Sequence, residues 1–384
     1  MSMSTTQRIL IVSHYYPPHI GGIEIVAYNE ATRLASLGNH VTVVTSKTHS
    51  DPASGIYEGV NVIRIPVFNG LEARGIPFPL FSPMLLLRLW RAIRQADIVH
   101  IHDVFYMSSF CAALAARIQK RPTIITQHVA MVSHPSKLTT TIERMVYNTT
   151  GKWSLHHSSR IITINSRVKQ FLTDLGIDSQ KIVAMSNGVD MQLFHKPTAK
   201  EKAAARKAFG LPPHGFIVLF IGRFVPKKGF NAMVEAAGAD YLTIFAGGDT
   251  DLQSDGNRRF IGRVTQARLA KLYQTADLFV LPSESEGFPL TAQEAMASGV
   301  PVVLKYDTGY ERYKLTAAHI AYLEQAGVDE LKHAIANLRE DVVRRQGMAK
   351  HALQYARDNF SWDSHVAALR ELHTIVLSER GEDA

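Results

Sequence analysis

One cysteine in the whole chain, Cys111, rules out an internal disulfide and points to a reducing compartment. It sits in the apolar helical run FCAALAARI, where a buried, inert thiol is expected rather than a nucleophile. Long hydrophobic runs are equally scarce. None approaches the roughly 20 residues of a membrane span. The opening MSMSTTQRILIVSHYYPP lacks the basic start, long apolar stretch and small-residue cleavage site of a signal peptide. The expectation is a cytoplasmic chain, with peripheral attachment to the inner membrane face as an added option. Acidic residues fall short of basic ones, 34 against 42, giving a net charge of +8. That imbalance favours an acidic partner: a phosphorylated small molecule, a nucleic acid or an anionic membrane. Nucleic acid is disfavoured because no basic, aromatic-interleaved surface is legible. Internal repeats at solenoid periods and low-complexity tracts are absent as well.

What the chain does have is 384 residues, 46% of them hydrophobic, a length that favours two domains. Short β-branched runs alternate with longer amphipathic ones. RILIVS (8–13), HVTVVTS (40–46), ADIVHIH, PTIITQH, RIITIN and KIVAMS read as strands, with a hairpin-like YEGVNVIRIP at 57–66. IEIVAYNEATRLASLG (23–38) has apolar residues at helical spacing before a glycine stop. A stretch at 187–215 then loses strand character and gathers Lys, Ala and Pro, as a connection would. A second series follows: FIVLFIG, YLTIFAG, RRFIG, DLFVLPS and VPVVLK, with helices at NAMVEAAGA, QARLAKLYQTA and LTAQEAMAS. The last segment, about 326–380, reads as helical. Strands alternating with helices imply parallel sheets covered on both faces. Two doubly wound domains are therefore expected, facing a central cleft that holds the ligand. The boundaries are 1–190, a linker at 191–210, 211–362, and a helix at 363–384 crossing back to the first domain.

Three places carry chemistry. Gly21 and Gly22 lie between the first strand and its helix, where backbone N–H groups favour a phosphate; a tight turn is the plain alternative. The spacing is not GxGxxG, so dinucleotide binding is disfavoured. In IGRFVPKKG, Arg223, Lys227 and Lys228 follow a strand end, and a planar guanidinium with an ammonium suits a diphosphate. In SESEGFPLTAQEAMASG, Pro289 fits the first turn of a helix, placing Glu286 above it and Glu294 inside it. Eight helical positions turn by about 80° and rise ~12 Å, so these two carboxylates are not a dyad sharing a proton. They would instead accept hydroxyls at two ends of one ligand, with the N–H groups of Gly287, Phe288 and Leu290 meeting phosphates between them. Glu284 falls outside the spacing and reads as a cap or surface residue.

These motifs resemble the retaining glycosyltransferases of family 4, which have the GT-B fold. Glu286 and Glu294 meet the E-x7-E pattern, Arg223 and Lys228 the basic signature, and NGVD stands at 187–190. YPPHIGGIE near the start, FIGRV at 260–264 and FSW at 360–362 are also similar, so the likeness spans nearly the whole chain. It implies transfer of a hexosyl group from a nucleotide diphosphate sugar to a hydroxyl acceptor, with retention, without a metal and without a cofactor. The acceptor class would be a glycan, a lipid-linked molecule or a small molecule. Arg223 and Lys228 would neutralise the departing diphosphate. Glu294 would bind ribose hydroxyls and Glu286 the donor sugar. Gly21 and Gly22 would meet the phosphate, His128 would stand beside the donor sugar, and the base would pack near Arg263 and Val264, with Pro289 in the same loop.

Several features point elsewhere. Asp249 and Asp251 have the spacing of a metal-binding pair, but a solvated turn is preferred. His100 and His102 point to one side of a strand with no third ligand at a convincing spacing; His102 and Asp103 are expected to line the cleft. His156 and His157 read as surface residues. MLLLRLWRAIRQ (84–95) interleaves arginines with leucines and Trp90; an ordinary packed helix is the first reading and an anionic membrane surface the second. The segment after residue 305 is shorter than the family's, so the resemblance implies neither the family's donor-side lid nor which sugar is used. The rival functions are a nucleotide-sugar epimerase on the same scaffold and a silent nucleotide-sugar-binding subunit.

Overall fold

The computed structural model describes residues 6–19, 21–48, 51–68, 70, 79–131, 137–284 and 288–382. It divides into two compact units: Met1–Ser186 with His365–Ala384, and Asn187–Ser364.

In the first unit the elements run β1 (Arg8–Val12), α1 (Gly22–Ser36), β2 (His40–Lys47), β3 (Gly55–Tyr57), β4 (Val60–Phe68), β5 (Leu80–Phe81), α2 (Met84–Gln95), β6 (Ile98–His102), α3 (Met107–Ile118), β7 (Thr123–Gln127), α4 (Lys137–Val146), α5 (Lys152–His157), β8 (Arg160–Thr163), α6 (Ser166–Asp174) and β9 (Ile182–Ala184). The sheet order is β3-β4-β2-β1-β6-β7-β8-β9, with β5 added to β4. β1 pairs in parallel with β2 on one side and β6 on the other, Ile9 standing opposite Val41 and Ile98. The strand order reverses at β1, where an open sheet of this kind forms its ligand crevice. The central strands are buried along their length, as a parallel sheet covered on both faces requires. Asn165 caps α6 by accepting from the Val168 N–H.

The second unit contains α7 (Ala199–Ala208), β10 (Ile217–Ile221), α8 (Phe230–Ala236), β11 (Leu242–Ala246), β12 (Arg258–Gly262), α9 (Gln266–Thr275), β13 (Leu278–Leu281), α10 (Leu290–Ala297), β14 (Val302–Lys305), β15 (Ile320–Leu323), α11 (Val328–Glu340) and α12 (Val342–Asn359). α13 (Trp362–Glu382) begins here, and from His365 it belongs to the first unit. The sheet is parallel throughout, order β12-β11-β10-β13-β14-β15. Here the order reverses at β10. Residues 191–210, read from composition as a linker, belong to the second unit. Its helix α7 opens with a reciprocal cap between Thr198 and Glu201, and buried Arg206 ties it to the Thr275 carbonyl and Asp277.

Candidate active site

In the second unit the basic loop and the acidic helix stand on neighbouring strands, because β10 pairs with β13. The loop after β10 makes one short helical turn, Pro226–Lys228, and ends on Gly229 with φ 71°. A Cβ on Gly229 would lie 2.6 Å from the Pro282 carbonyl oxygen, so this left-handed turn also packs against the loop after β13. Two hydrogen bonds fasten the loops together: the Glu284 N–H and the Ser283 hydroxyl both donate to the Lys227 carbonyl, at 2.8 and 3.1 Å. Arg223 is exposed and Lys228 half-buried, its aliphatic stem 3.7 Å from the Cβ position of Gly222. Both cations thus stand at the carboxyl end of the strand where the sheet reverses.

Glu294 is buried in α10, with Oε2 3.0 Å from the Tyr273 hydroxyl oxygen. Burial pushes its carboxyl up to about 8, the hydrogen bond from Tyr273 opposing that shift. Pro289 is the residue before the helix rather than its first turn, with extended ψ of 134°. Phe288 is a core side chain, packed on Tyr310, Tyr313 and Phe360, so only its backbone is offered to a ligand. Leu290 is half-buried at the helix start. Glu286 and Gly287 lie outside the described residues. Arg263 is exposed and pairs with Asp249 at 2.9 Å, which also places that member of the Asp249–Asp251 pair on a surface turn; Val264 is half-buried against the core. Glu284 is exposed and faces Lys305 at 3.8 Å.

In the first unit the turn before α1 holds a group that the sequence reading missed. Glu24 folds back over Gly21, and a Cβ there would stand 2.2 Å from its Oε2. Burial opposes its charge, but the His19 hydrogen bond and the nearby His14 hold its carboxyl below the ordinary value. A carboxylate therefore occupies the helix N-terminus assigned to phosphate, the position where a negative charge is favoured. Gly22 is open, with nothing within 4 Å of a Cβ.

His128 is buried just after β7, and burial lowers its pKa to about 3. Its Nε2 lies 3.0 Å from His102 Nδ1. Behind it stands a buried cluster: Glu30 from α1, His100 and His102 from β6, and His365 and His373 from α13. Asp103, with φ 64°, is buried too, and its carboxyl is pushed up to about 6. Among the described residues, Glu30, His100 and His102 are the group whose ligand atoms converge, within 4.8 Å of one another. The third member escaped notice because Glu30 lies 70 positions before His100, beyond any spacing rule. Cys111 is half-buried with its thiol pKa raised by burial, and His156 and His157 are exposed.

Comparison with known proteins agrees with this architecture. Residues 20–193 match the profile "Glycosyltransferase Family 4" and residues 201–355 match "Glycosyl transferases group 1". D-inositol 3-phosphate glycosyltransferase of Corynebacterium glutamicum is 24% identical, covering 94% of this chain and 94% of its own. The enzyme of that name from Mycolicibacterium smegmatis is 26% identical, covering 98% and 93%. Among solved structures, sucrose-phosphate synthase from Thermosynechococcus elongatus superposes with a TM-score of 0.76 at 20% identity, over 97% of this chain and all of that one. Anabaena HepE in complex with UDP and glucose gives 0.76 at 17%, over 96% and 99%. With two α/β units, each on a mainly parallel sheet, and family profiles along both, the chain belongs to the family 4 glycosyltransferases of GT-B fold, and its activity is glycosyl transfer.

Proposed function

We propose that this glycosyltransferase moves a hexosyl group from a nucleotide diphosphate sugar to a hydroxyl acceptor with retention of configuration. The observation that carries the reading is the fastening of the Arg223–Lys228 loop to the loop before α10, through the Lys227 carbonyl. It puts two cations and the N-terminus of the Glu294 helix at adjacent strand ends, a combination suited to a diphosphate with a hydroxyl-bearing group beside it. As the sugar–oxygen bond breaks, negative charge builds on the diphosphate. Cations already in position stabilise that charge without reorganising. Glu294 is assigned to the ribose hydroxyls, Glu286 to the donor sugar, and His128 with the Gly21–Gly22 turn to the sugar and phosphate. The base is assigned to Arg263 and Val264. The Anabaena protein is solved with UDP and with UDP-glucose, which makes UDP-sugars the first donors to try.

The purified chain is to be melted with UDP-, GDP- and ADP-sugars and assayed for transfer. A ligand bound only by the native state raises the midpoint. One nucleotide series should raise it and support transfer that Lys228→Ala lowers on the order of 10²-fold. No shift with any of them at millimolar concentration would sink the reading. Tight donor binding without turnover on any acceptor would favour the silent subunit instead.

For the acceptor we infer an anionic membrane as the place of encounter. Among the described residues no helix is long and apolar enough to cross a membrane. Yet α2 leaves Met84, Leu86, Leu87 and Trp90 exposed, at 46, 60, 51 and 43%, beside exposed Arg88, Arg91 and Arg94. Apolar groups flanked by arginines suit the headgroup boundary of an anionic bilayer. Sedimentation with anionic vesicles should be lost in Leu87→Glu and in high salt; equal sedimentation with neutral vesicles would count against it.

A further inference from the structure

Glu30 and His102 are fully buried in the first unit, and the proposed donor site leaves them without a role. Their hydrogens can be assigned one by one. His365 Nδ1 lies 2.6 Å from the Ser186 carbonyl oxygen and its Nε2 lies 2.8 Å from Glu30 Oε1. Both neighbours only accept, so the ring carries N–H on each nitrogen and is an imidazolium facing an ionised carboxylate. Burial opposes the Glu30 charge, but the histidine N–H groups turned towards it hold its carboxyl well below the ordinary value.

The other oxygen, Oε2, faces His100 Nδ1 at 3.4 Å and His102 Nε2 at 3.3 Å. Neither contact is aligned as a hydrogen bond, but a ring lone pair turned towards an ionised carboxylate at this range would be repelled, so those nitrogens carry the hydrogens. A second buried cation would have no counter-charge, so His100 and His102 are neutral and each keeps one lone pair. The Thr126 hydroxyl donates to His100 Nε2 at 2.7 Å. At 3.0 Å, His102 Nδ1 can be satisfied only by His128 Nε2–H. A neutral His128 that donates from Nε2 must present a lone pair at Nδ1.

We propose that Glu30 and His102 are positioning residues: the Glu30 charge orients His102, and His102 accepts a hydrogen bond that holds His128 as its Nε2–H tautomer with Nδ1 as an acceptor. Such an acceptor takes the hydrogen of a sugar hydroxyl and repels a phosphate oxygen. The assignment of that hydroxyl to the transferred sugar rests on the function proposed above; the tautomer does not.

The test uses the full chain labelled with 15N in its imidazoles. Multiple-bond 1H–15N spectra report each tautomer, with His128 assigned from the signals lost in His128→Asn. Wild type should show Nε2 protonated and Nδ1 bare, and His102→Phe should shift His128 towards the other tautomer. In transfer assays His102→Phe should lower kcat roughly five- to ten-fold, the worth of one hydrogen bond, with donor KM little changed. A wild-type His128 protonated at Nδ1 overturns the proposal, even if the variant fails to fold. So does a stoichiometric transition metal retained by the purified chain, because His100 Nδ1 and His102 Nε2 would then be metal ligands rather than N–H groups. An altered tautomer with unchanged kcat overturns the positioning role. The expected tautomer in a chain that transfers no sugar from any nucleotide leaves the tautomer assignment standing and removes the functional reading.

Discussion

The Tyr273 hydroxyl oxygen lies 3.0 Å from Glu294 Oε2 and 2.8 Å from the Thr291 carbonyl oxygen. A phenol has one hydrogen, and the carbonyl can only accept it. Below about 8, where burial keeps Glu294 protonated, the acid can donate to the phenol while the phenol serves the carbonyl; once ionised, Glu294 competes with that carbonyl for the single phenol hydrogen. The sign follows from linkage. Below 4.5, the ordinary value, the group is protonated folded or unfolded and contributes nothing different; between there and about 8 the folded chain holds the extra proton, so its stability falls as pH rises. Glu294→Gln removes this dependence. Relative to wild type, the variant should gain on the order of a few kcal/mol of stability between pH 5 and pH 8.5. Urea unfolding at both pH values measures it, and a difference that stays flat refutes the protonated acid.

Donor binding carries the opposite slope. A carboxylate that accepts two ribose hydroxyls must first lose its proton, so donor affinity should rise with pH through about 8 in wild type. In Glu294→Gln it should be weak and flat. Isothermal titration with the donor identified by melting decides it, and equal affinity at pH 6.5 and 8.5 in wild type would be the contrary result.

Arg206 shows where composition misleads. Its charge sits in a Lys- and Ala-rich stretch that reads as solvated connection, yet the side chain is 4% exposed and donates to the carbonyls of Thr275, Pro213 and Gly215 and to Asp277. Asp277 in turn accepts the Ile217 N–H and faces Lys202. Removing Arg206 would leave a carboxylate and several carbonyls short of donors. Arg206→Ala should cost about 3–5 kcal/mol, read as a lower urea midpoint, whereas Lys202→Ala, at a half-exposed partner, should cost under about 1 kcal/mol.

The strand–helix alternation was readable because parallel strands covered on both faces are short apolar runs, and β1, β6, β10 and β13 are of that kind. β15 was missed: IAYL follows a polar turn and has two half-buried members, so it lacks the pattern of a central strand. Arg223, Lys228 and Glu294 were legible as local motifs. The Glu24 carboxylate over Gly21 and the Glu30–His102–His128 contacts were not, since each depends on a fold of the backbone or on pairings between β6 and β7 that no spacing reveals.

Gly247 tests how tightly the strand ends behind Arg223 are built. Its φ is 101°, and a Cβ would stand 2.9 Å from the Gly222 carbonyl oxygen and 3.1 Å from its nitrogen. Neither atom can yield without moving β10. Gly247→Ala should therefore cost about 3 kcal/mol, or roughly 5–10 °C in melting temperature. Gly22→Ala, with open space around it, should stay within about 0.5 kcal/mol of wild type. Equal melting of the two variants would show that the strand ends relax freely.

Arg223 and Lys228 differ in geometry, and their variants should differ in kind. Lys228 is a point charge on a stem laid along Gly222, so Lys228→Ala removes one preplaced cation from the leaving diphosphate. The loss should appear in kcat, on the order of 10²-fold, because that charge develops only as the bond breaks. Arg223 offers a planar fork on an exposed side chain. Arg223→Lys keeps the charge but not the paired hydrogen bonds, and should recover part of the activity lost in Arg223→Ala. Steady-state kinetics with saturating acceptor separates these cases. Losses confined to KM in Lys228→Ala would mean the cation binds the ground state alone, and leaving-group stabilisation would have to come from another group.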